Sequence, residues 1–580
     1  MRKIFRDIWR SDRRGFLTIL ALNIAVSFTG GIGIVMLLPM LELLDVSAGS
    51  SVLPAAMLAL PRGAQVCIMA GVYLLLVCAK ALFGRFLSIR QTRFQESYSM
   101  QLRDRLYSAV THASYELLNT RRQTDTINLF TSQSGQVSRG VQTLISLLSS
   151  TVSSVVQLII ALYMSVPVTL LVLAAGVVFV VGFRSLRSKS RECGEQLIKT
   201  SRRFYGELHH QLQSIKEIRT YGVEEEHAGI FNRLSRALKD ANVHFAQLSA
   251  TPTMVHSIAA AAMIVLVFVV SVLVLEMPTA RLMVLVYVFS RLWPVFSGLQ
   301  GRLQSLQLSI PAYDLLQEAV QAMENDATER AEQPDPLSFE REVRFAAVSF
   351  TYRNSEEPVL QDVSFTLRKG TITAMTGRSG EGKTTVADLM LGFLRPSDGA
   401  ILVDDQVLTD ANIQSWRRKI GYVPQMPCIL NGTVRENLGR YHPGATEEQM
   451  IEALKTAQAW SFVSKLPQVL DTVLGDNGVR LSGGERQRLV LARVLMGKPD
   501  FILLDEATSA LDFESECAIR DVLRSLKGQT TVLIIAHRLA TIRIADQAIV
   551  LGNRTVDECG SLQELISRPD SYLARMVEVE

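Results

Sequence analysis

The sequence has few features of a disulfide-stabilised or metal-binding protein. Only 6 of its 580 residues are cysteines, and none lies in a CxxC spacing or beside a histidine cluster. This scarcity is typical of scattered thiols and argues against a zinc site or a disulfide framework. The net charge of +4 is too small to indicate any class of partner. No Ala-x-Ala-like cleavage site follows the charged N-terminus, so we expect the N-terminus to be retained in the mature protein.

Apolar residues are abundant instead. They make up 48% of the chain, and the mean hydropathy of +0.20 is high for a soluble protein of this length. A helix that spans a bilayer needs about 20 predominantly apolar residues. Six stretches meet this requirement, at residues 16–41, 64–84, 141–163, 166–183, 252–275 and 279–301.

Arginine and lysine are concentrated in the first 14 residues and in the long polar connections that follow the second and fourth apolar stretches. The loop 45–63, between the first and second stretches, contains only Arg62. Because positively charged loops stay in the cytoplasm, we expect both long connections and both chain ends there. Apolar residues at helical spacing in the basic N-terminus favour a helix on the inner membrane surface over a solvated tail.

After the last apolar stretch, the pattern changes to that of a soluble α/β domain. Residues 324–336 are polar and indicate an exposed linker, and beyond them short apolar strands alternate with helical segments. We therefore predict a multidomain chain. A six-helix transmembrane bundle with two long cytoplasmic loops occupies residues 1–323, and an α/β P-loop nucleotide-binding domain occupies residues 337–580.

A phosphate-binding loop lies near the start of the second domain. The segment GRSGEGKTT matches the pattern G-x-x-x-x-G-K-[ST] and lies between an apolar strand and a helical segment. Backbone N–H groups of such a loop close around phosphate oxygens, Lys383 adds a positive charge at the β- and γ-phosphates, and the Thr384 hydroxyl binds Mg²⁺. The candidate ATP ligands of the loop are Gly377, Ser379, Gly380, Gly382, Lys383, Thr384 and Thr385.

A second motif, FILLDE, is an apolar strand that ends in two acidic residues. Asp505 is placed to hold Mg²⁺ through water, and Glu506 is placed to polarise the attacking water. Such a pair is common at strand ends, but together with the phosphate loop it indicates ATP hydrolysis.

Five further motifs follow the order shown by ATP-binding cassette (ABC) transporters, and the chain resembles the exporter-type half-transporters of that family over nearly its whole length. The motifs are VSFTYRN, GYVPQMP, LSGGE, SALD and IIAHRLAT. The resemblance implies that Tyr352 stacks on adenine, that Gln425 reaches Mg²⁺, and that His537 contacts the γ-phosphate as a second catalytic residue. The signature consists of Leu481, Ser482, Gly483, Gly484 and Glu485, and the D-loop contains Ser509 and Asp512.

The resemblance also explains why one ATPase carries two phosphate-binding segments. In this family two nucleotide-binding domains face each other head to tail, so each ATP lies between the P-loop of one domain and the signature of the other. Because Glu506 and His537 are both present, one chain can form two competent sites, and we expect a homodimer. A heterodimer with a second half-transporter stays open.

Further consequences of the resemblance concern cofactors and location. ATP and Mg²⁺ are expected, as are contacts with membrane lipid but not with nucleic acid. The protein is expected in the bacterial inner membrane, with the nucleotide-binding domain in the cytoplasm. Short coupling helices are expected near residues 113–124 and 209–215.

The layout is similar to that of exporters or flippases of amphipathic or lipid-like substrates. A peptide or siderophore transporter of the same architecture, exporting or importing, is the alternative. A soluble ABC ATPase of DNA repair would lack the six apolar stretches and is disfavoured.

A polar stripe in the third apolar stretch indicates where a substrate could bind. Its members recur every three or four residues and therefore share one helix face; they are Gln142, Ser146, Ser149, Ser153 and Gln157. Arg291 lies near the middle of the sixth stretch, where a charge needs a polar environment. We expect these residues to line a substrate cavity in which Arg291 attracts an anionic group. Close helix packing of the stripe, or an Arg291 at the membrane edge, is the alternative.

Overall fold

A computed structural model describes residues 2–35, 61–164, 185–273, 279–326, 335–353, 355–507 and 511–579, with scattered positions between 166 and 182. The chain forms two compact units. The first comprises Met1–Ala113 with Leu117–Ala327, and the second comprises Ser114–Glu116 with Thr328–Glu580. The predicted linker 324–336 lies mostly outside the described residues, so the predicted domain bounds stay predictions.

The described part of the chain before residue 327 is almost entirely helical. Its helices are α1 Arg2–Ser11, α2 Arg13–Val35, α3 Arg62–His112, α4 Tyr115–Thr120, α5 Gln123–Asn128, α6 Ser134–Met164, α7 Ser185–Gln213, α8 Ile215–Tyr221, α9 Glu224–Leu273 and α10 Thr279–Asn325. A π-helical turn, Leu129–Gln133, joins α5 to α6. The predicted N-terminal helix is present as α1, and it buries Ile4 and Ile8.

Three stretches of the described residues are long and apolar enough to cross a membrane, namely Gly63–His112, Gln123–Ile159 and Glu224–Val270. They overlap the second, third and fifth predicted spans. The fourth predicted span, 166–183, and the predicted loop 45–63 lie largely outside the described residues. The number of six spans therefore stays a prediction.

Small residues let the long helices approach closely. A Cβ atom at Gly140 of α6 would lie 2.7 Å from the Cβ atom of Ser309 of α10, well inside contact distance. Around this contact lies a buried apolar cluster that includes Val141, Leu306 and Leu316. The short helix α4 falls inside the range predicted for the first coupling helix, 113–124, whereas α5 begins inside that range and ends beyond it, at Asn128. The second expectation was misplaced, because residues 209–213 continue α7 and the short helix α8 begins only at Ile215.

The described residues of the second unit form ten strands. They are β1 Glu342–Phe350, β2 Leu360–Arg368, β3 Ile372–Gly377, β4 Asp398–Val403, β5 Gln406–Val407, β6 Ile420–Val423, β7 Phe501–Asp505, β8 Thr531–Ile535, β9 Gln547–Gly552 and β10 Thr555–Ser561. Its helices are α11 Lys383–Met390, α12 Ile413–Arg417, α13 Val434–Gly439, α14 Glu447–Thr456, α15 Trp460–Val463, α16 Gly483–Met496, α17 Phe513–Leu526, α18 Leu539–Ile542, α19 Leu562–Ser567 and α20 Tyr572–Val579.

The strands form two sheets. A four-stranded antiparallel sheet has the order β2-β1-β4-β5, and a six-stranded sheet has the order β10-β9-β3-β8-β7-β6. In the larger sheet β9, β3, β8, β7 and β6 are parallel, and β10 is an antiparallel edge strand. The sequence-based expectation of an α/β domain is confirmed.

Strand β7 shows how both faces of the larger sheet are buried. Successive side chains of a strand point to opposite faces. Phe501 and Leu503 belong to a core cluster shared with the smaller sheet, whereas Ile502 and Leu504 belong to a second cluster that contains residues of helices α14, α16 and α17. A parallel strand covered on both faces reads as a continuous apolar run, as FILLD does.

Candidate functional site

The predicted nucleotide residues collect at one edge of the six-stranded sheet. The phosphate loop follows β3, Glu506 follows β7, His537 follows β8, and Gln425 follows β6. These four strands are parallel and adjacent, so their carboxyl ends meet at the same edge. Ligands of open α/β sheets bind at such an edge.

Glycines fix the course of the phosphate loop. Gly377 has φ = 148°, and a Cβ atom there would lie 2.3 Å from the carbonyl oxygen of Leu551. Gly382 caps α11 in the left-handed conformation, with φ = 90°. Both positions exclude larger residues, and the loop leads directly into the N-terminus of α11, where backbone N–H groups are free to bind phosphate.

Lys383 lies across the phosphate loop. Its Nζ atom donates hydrogen bonds to the carbonyl oxygens of Gly377, at 3.0 Å, and Arg378, at 2.8 Å. Burial lowers the pKa of its ammonium group, an effect that the charge of Glu506 opposes. The loop therefore holds a partly desolvated cation whose present acceptors are only neutral carbonyls, which favours a phosphate as its partner.

Glu506 accepts two side-chain hydrogen bonds at the end of β7. Gln425 Nε2 donates to Oε2 at 2.7 Å, and His537 Nε2 lies 2.8 Å from Oε1. The backbone of Glu506 has φ = 46°, a left-handed conformation that is uncommon for residues with a side chain. Strain of this kind concentrates at functional sites.

Acidic groups accumulate beside Lys383. Burial and the negative charge of Glu506 raise the pKa of Asp505. Burial and the charge of Asp505 raise the pKa of Asp388, on helix α11, to about 6. The Tyr422 side chain, near the end of β6, lies close to Asp505, and burial together with the charge of Asp505 raises the pKa of its hydroxyl group. The site therefore carries more negative charge than Lys383 alone balances.

The predicted Mg²⁺ ligands fit that ion chemically. Thr384, Gln425 and Asp505 offer hydroxyl, amide and carboxylate oxygens, which Mg²⁺ prefers. The excess of negative charge around Asp505 also favours a cation. Among the described residues there is no group of three or more His, Cys, Asp or Glu side chains that could hold a metal. An ion here would thus complete its coordination with nucleotide phosphates and water.

Tyr352 lies beside the phosphate loop, whereas the signature begins a separate helix, α16. The Tyr352 hydroxyl lies 3.2 Å from the Thr385 hydroxyl, so the aromatic ring stands beside the phosphate-loop helix. Ser482 caps α16 in a capping box. Its hydroxyl accepts from the Glu485 N–H at 3.3 Å, and the Glu485 carboxylate accepts from the Ser482 N–H at 2.8 Å. These hydrogen bonds stay within the turn and leave the loop exposed at Ser482.

The signature packs against the segment after the D-loop. A Cβ atom at Gly484 would lie 1.9 Å from the Ser515 hydroxyl, so no larger residue fits. Asp512 caps α17 by accepting from the Ser515 N–H at 3.4 Å. Leu481 is buried, and Gly483 begins α16. Ser509, the other predicted D-loop residue, lies outside the described residues.

The polar stripe of α6 is only partly buried. Ser146, Ser149 and Ser153 line a cavity of about 410 Å³ inside the first unit. Gln157 is half-buried, and no described group pairs with its Oε1 atom, while Gln142 is exposed. The side chain of Arg291 lies outside what the structure describes.

Sequence reasoning missed several residues at both places. Asp388 and Tyr422 lie near Asp505 in the second unit; no motif marks Asp388, and Tyr422 belongs to the segment GYVPQMP, in which only Gln425 was singled out. In the first unit, Gln91 and Arg302 line the cavity with the stripe. Arg302 gave a usable signal, because it follows Gly298 by one helical turn at the end of an apolar stretch.

Comparisons with known proteins agree with this architecture. The model for the ABC transporter transmembrane region matches residues 16–294, and the ABC transporter model matches residues 360–509. The heterocyst differentiation ATP-binding protein HepA of Nostoc is 29% identical over 485 residues, which cover 82% of this chain and 79% of that protein. A putative multidrug export ATP-binding/permease protein of Staphylococcus aureus is 43% identical over 225 residues, 39% of each chain.

A solved structure extends the likeness to the whole length. A bacterial Atm1-family ABC exporter with ATP bound superposes with a TM-score of 0.83 over 99% of both chains, at 22% identity. At that identity the likeness concerns the fold, which is an N-terminal helical membrane region followed by an α/β nucleotide-binding domain.

Proposed function

Because the chain belongs to the ABC transporter family, as a half-transporter that couples ATP hydrolysis to transport, we propose that it exports or flips an amphipathic, anionic substrate as a homodimer. The observation that supports the ATPase half most directly is the pair of hydrogen bonds that hold the Glu506 carboxylate between Gln425 and His537.

Glu506 is the general base of this proposal. Its carboxylate accepts a proton from the attacking water, and His537, 2.8 Å away, orients that carboxylate and contacts the γ-phosphate. Lys383 exchanges the carbonyls of Gly377 and Arg378 for phosphate oxygens. Thr384, Gln425 and Asp505 would hold Mg²⁺, which would neutralise charge at the phosphates.

Two copies of the chain complete each site. Ser482, Gly483 and Gly484 offer the N-terminus of the 14-residue helix α16 to the nucleotide of the partner copy. The local hydrogen bonds of Ser482 support this role, because they shape the loop without occupying its outer face. The catalytic pair Glu506 and His537 is intact, so a homodimer would have two working sites.

The first unit provides the substrate path. Serines of α6 line a cavity together with Asn23, Gln91 and Arg302, and such a cavity suits a substrate with one polar and one apolar end. The arginine-rich connections support a cytoplasmic nucleotide-binding domain, and a bacterial inner membrane is the proposed location.

ATPase measurements in lipid nanodiscs test the proposal. The purified protein should hydrolyse ATP, and amphipathic anions should stimulate hydrolysis more than peptides or siderophores do. When this chain is the only protein present, the molar mass of the purified assembly, measured by light scattering, should be that of two copies. If only a peptide or only a siderophore stimulated hydrolysis, the proposed substrate class would be wrong, and that compound class would take its place.

A further inference from the structure

The cavity of the first unit is lined by four helices. Asn23 comes from α2, Gln91 from α3, Ser146, Ser149 and Ser153 from α6, and Arg302 from α10. Its volume of about 410 Å³ is near the lower end of the range for small-molecule sites. It has room for the polar part of an amphipathic molecule but not for a whole lipid.

The serines of the cavity act mainly as acceptors. The Ser149 hydroxyl donates to the carbonyl of Ile145 at 2.9 Å, and the Ser150 hydroxyl donates to the carbonyl of Ser146 at 2.7 Å. A hydroxyl has one proton, so these oxygens offer only lone pairs to other groups. Gln91 Nε2 accordingly donates to the Ser149 oxygen at 3.0 Å.

Arg302 brings an excess of donors to this wall. Its Nη1 atom donates to the Ser150 hydroxyl, which leaves most of its five N–H groups for other partners. None of the described residues that line the cavity carries a carboxylate. The cavity therefore combines a half-buried positive charge with surplus donors, and a ligand that supplies acceptor oxygens and negative charge would satisfy both.

Gly298 makes room for the guanidinium group. A Cβ atom at Gly298 would lie 3.3 Å from Arg302 Nη1, closer than ordinary contact. Helical side chains lean toward the N-terminus of their helix, so the arginine passes over the position four residues before it. The bare glycine lets the guanidinium reach the serines of α6.

We propose that this cavity binds the oxyanion head group of the transported substrate, with Arg302 as its principal ligand. The inference rests on the proposed function and names the part of the substrate that the site takes. Arginine binds phosphate and carboxylate in a bidentate manner, so either oxyanion suits the site. The apolar remainder of the substrate would extend out of the cavity.

The test measures ATPase stimulation of the full-length protein in phosphatidylcholine nanodiscs. Three probes are added separately: phosphatidic acid, oleate, and glycerol 3-phosphate as a soluble phosphate without acyl chains. The variants are Arg302→Gln, which removes the charge, and Arg302→Lys, which keeps the charge but loses the fork. Arg233→Gln is the matched control, because Arg233 also follows a glycine, Gly229, by four residues but is exposed on α9.

The expected result is that Arg302→Gln needs at least about tenfold more phosphatidic acid or oleate for half-maximal stimulation, the size of one lost charge-assisted hydrogen bond. Arg302→Lys should lie between, and Arg233→Gln should match the wild type. Gly298→Ala should also raise the concentration of phosphatidic acid or oleate needed for half-maximal stimulation. If Arg302→Gln does not fold and assemble, the half-maximal concentrations of Arg302→Lys and Gly298→Ala are compared with that of the wild type instead.

The outcomes separate the inference from the proposed function. Equal half-maximal concentrations for the wild type and every cavity variant would overturn the head-group site and leave the proposed function standing. Stimulation by glycerol 3-phosphate alone, lost in Arg302→Gln, would support the oxyanion site and contradict an amphipathic substrate. A wild-type protein that no anionic probe stimulates would overturn both.

Discussion

Gln425 donates a hydrogen bond from Nε2 to Oε2 of Glu506 across 2.7 Å. The same glutamine is the residue expected to reach Mg²⁺ through its amide oxygen. The amide could serve both groups only if its oxygen faced the ion while its nitrogen faced Glu506, so a bound ion would constrain how Glu506 is held. This contact gives the site a direct route by which nucleotide binding can position the catalytic carboxylate.

Substitution Glu506→Gln should abolish turnover but leave ATP binding. The amide keeps the shape of the side chain but cannot accept the proton of the attacking water, and general bases contribute roughly 10²–10⁴-fold to rate. ATPase assays and nucleotide-binding measurements on the same preparation check this. Glu452→Gln, on the exposed face of α14, is the control and should be neutral. Near wild-type turnover in Glu506→Gln would show that another group is the base.

Substitution Lys383→Ala should act on binding itself. Lys383 is 6% exposed, and removing it deletes the cation nearest the phosphates as well as both bonds to the loop carbonyls. One charge-assisted contact corresponds to a loss of affinity of about 10- to 100-fold. Titration with a fluorescent ATP analogue measures it. An unchanged dissociation constant with lost turnover would instead give Lys383 a purely catalytic role.

The nucleotide site could be predicted further than the membrane unit, and the reasons are physical. The segment ITAMTG coincides with β3, Ile372–Gly377, because a buried parallel strand followed by a glycine loop is a local pattern. The bonds that Glu506 makes could not be predicted in this way. They join residues 81 and 31 positions apart, which only the strand order β8-β7-β6 brings together.

Arg302 shows what hydropathy cannot predict. The sixth predicted span ends at residue 301, one position before this arginine. Helix α10 instead continues to Asn325, and Arg302 turns back along it toward the serines of α6. Hydropathy averaged along the sequence indicates whether a charged residue lies at the end or in the interior of a span. It does not show which neighbouring helix the side chain contacts.

Substitution Gly484→Ala should destabilise the second unit and lower ATPase activity together. Its methyl group would overlap the Ser515 side chain, with the Cβ atom 1.9 Å from Oγ, and such overpacking costs about 1–3 kcal/mol. Thermal unfolding of the full chain measures the effect. The double variant Gly484→Ala with Ser515→Gly removes the obstructing side chain and should recover much of the loss. Without recovery, the glycine would be needed for the backbone or the partner nucleotide instead.

Stability should depend on the charge of Asp388. Burial and the nearby charge of Asp505 raise the pKa of Asp388 to about 6. The folded state therefore binds a proton more tightly than the unfolded state, and the free energy of unfolding falls as pH rises from about 4 to about 6. Asp388→Asn removes this loss. The free energy of unfolding of Asp388→Asn should exceed that of the wild type by an amount that grows from about pH 4 to about pH 6 and stays constant above. This difference should reach at most about 1–2 kcal/mol because the side chain is partly exposed.

Thermal unfolding of nucleotide-free protein across the pH range measures that difference for Asp388. Asp405→Asn is the control, because the Asp405 carboxylate is exposed and pairs with Arg341 on the surface. If Asp388→Asn differed from the wild type in stability by the same amount at every pH, the titration of Asp388 would not contribute to the free energy of unfolding.

The serine stripe of α6 should react with water-soluble maleimides in at least one state of the transport cycle. Ser146, Ser149 and Ser153 line a cavity, whereas Val155 on the same helix is 51% exposed on the outer side of the unit and would face lipid. In a background without native cysteines, Ser146→Cys and Ser153→Cys should be labelled, and Val155→Cys should not. If the cavity also admits the substrate, phosphatidic acid should slow labelling of the two serine positions. Protection from label in every state would mean that small residues here serve close helix packing, because a dry interface excludes the reagent as it excludes water.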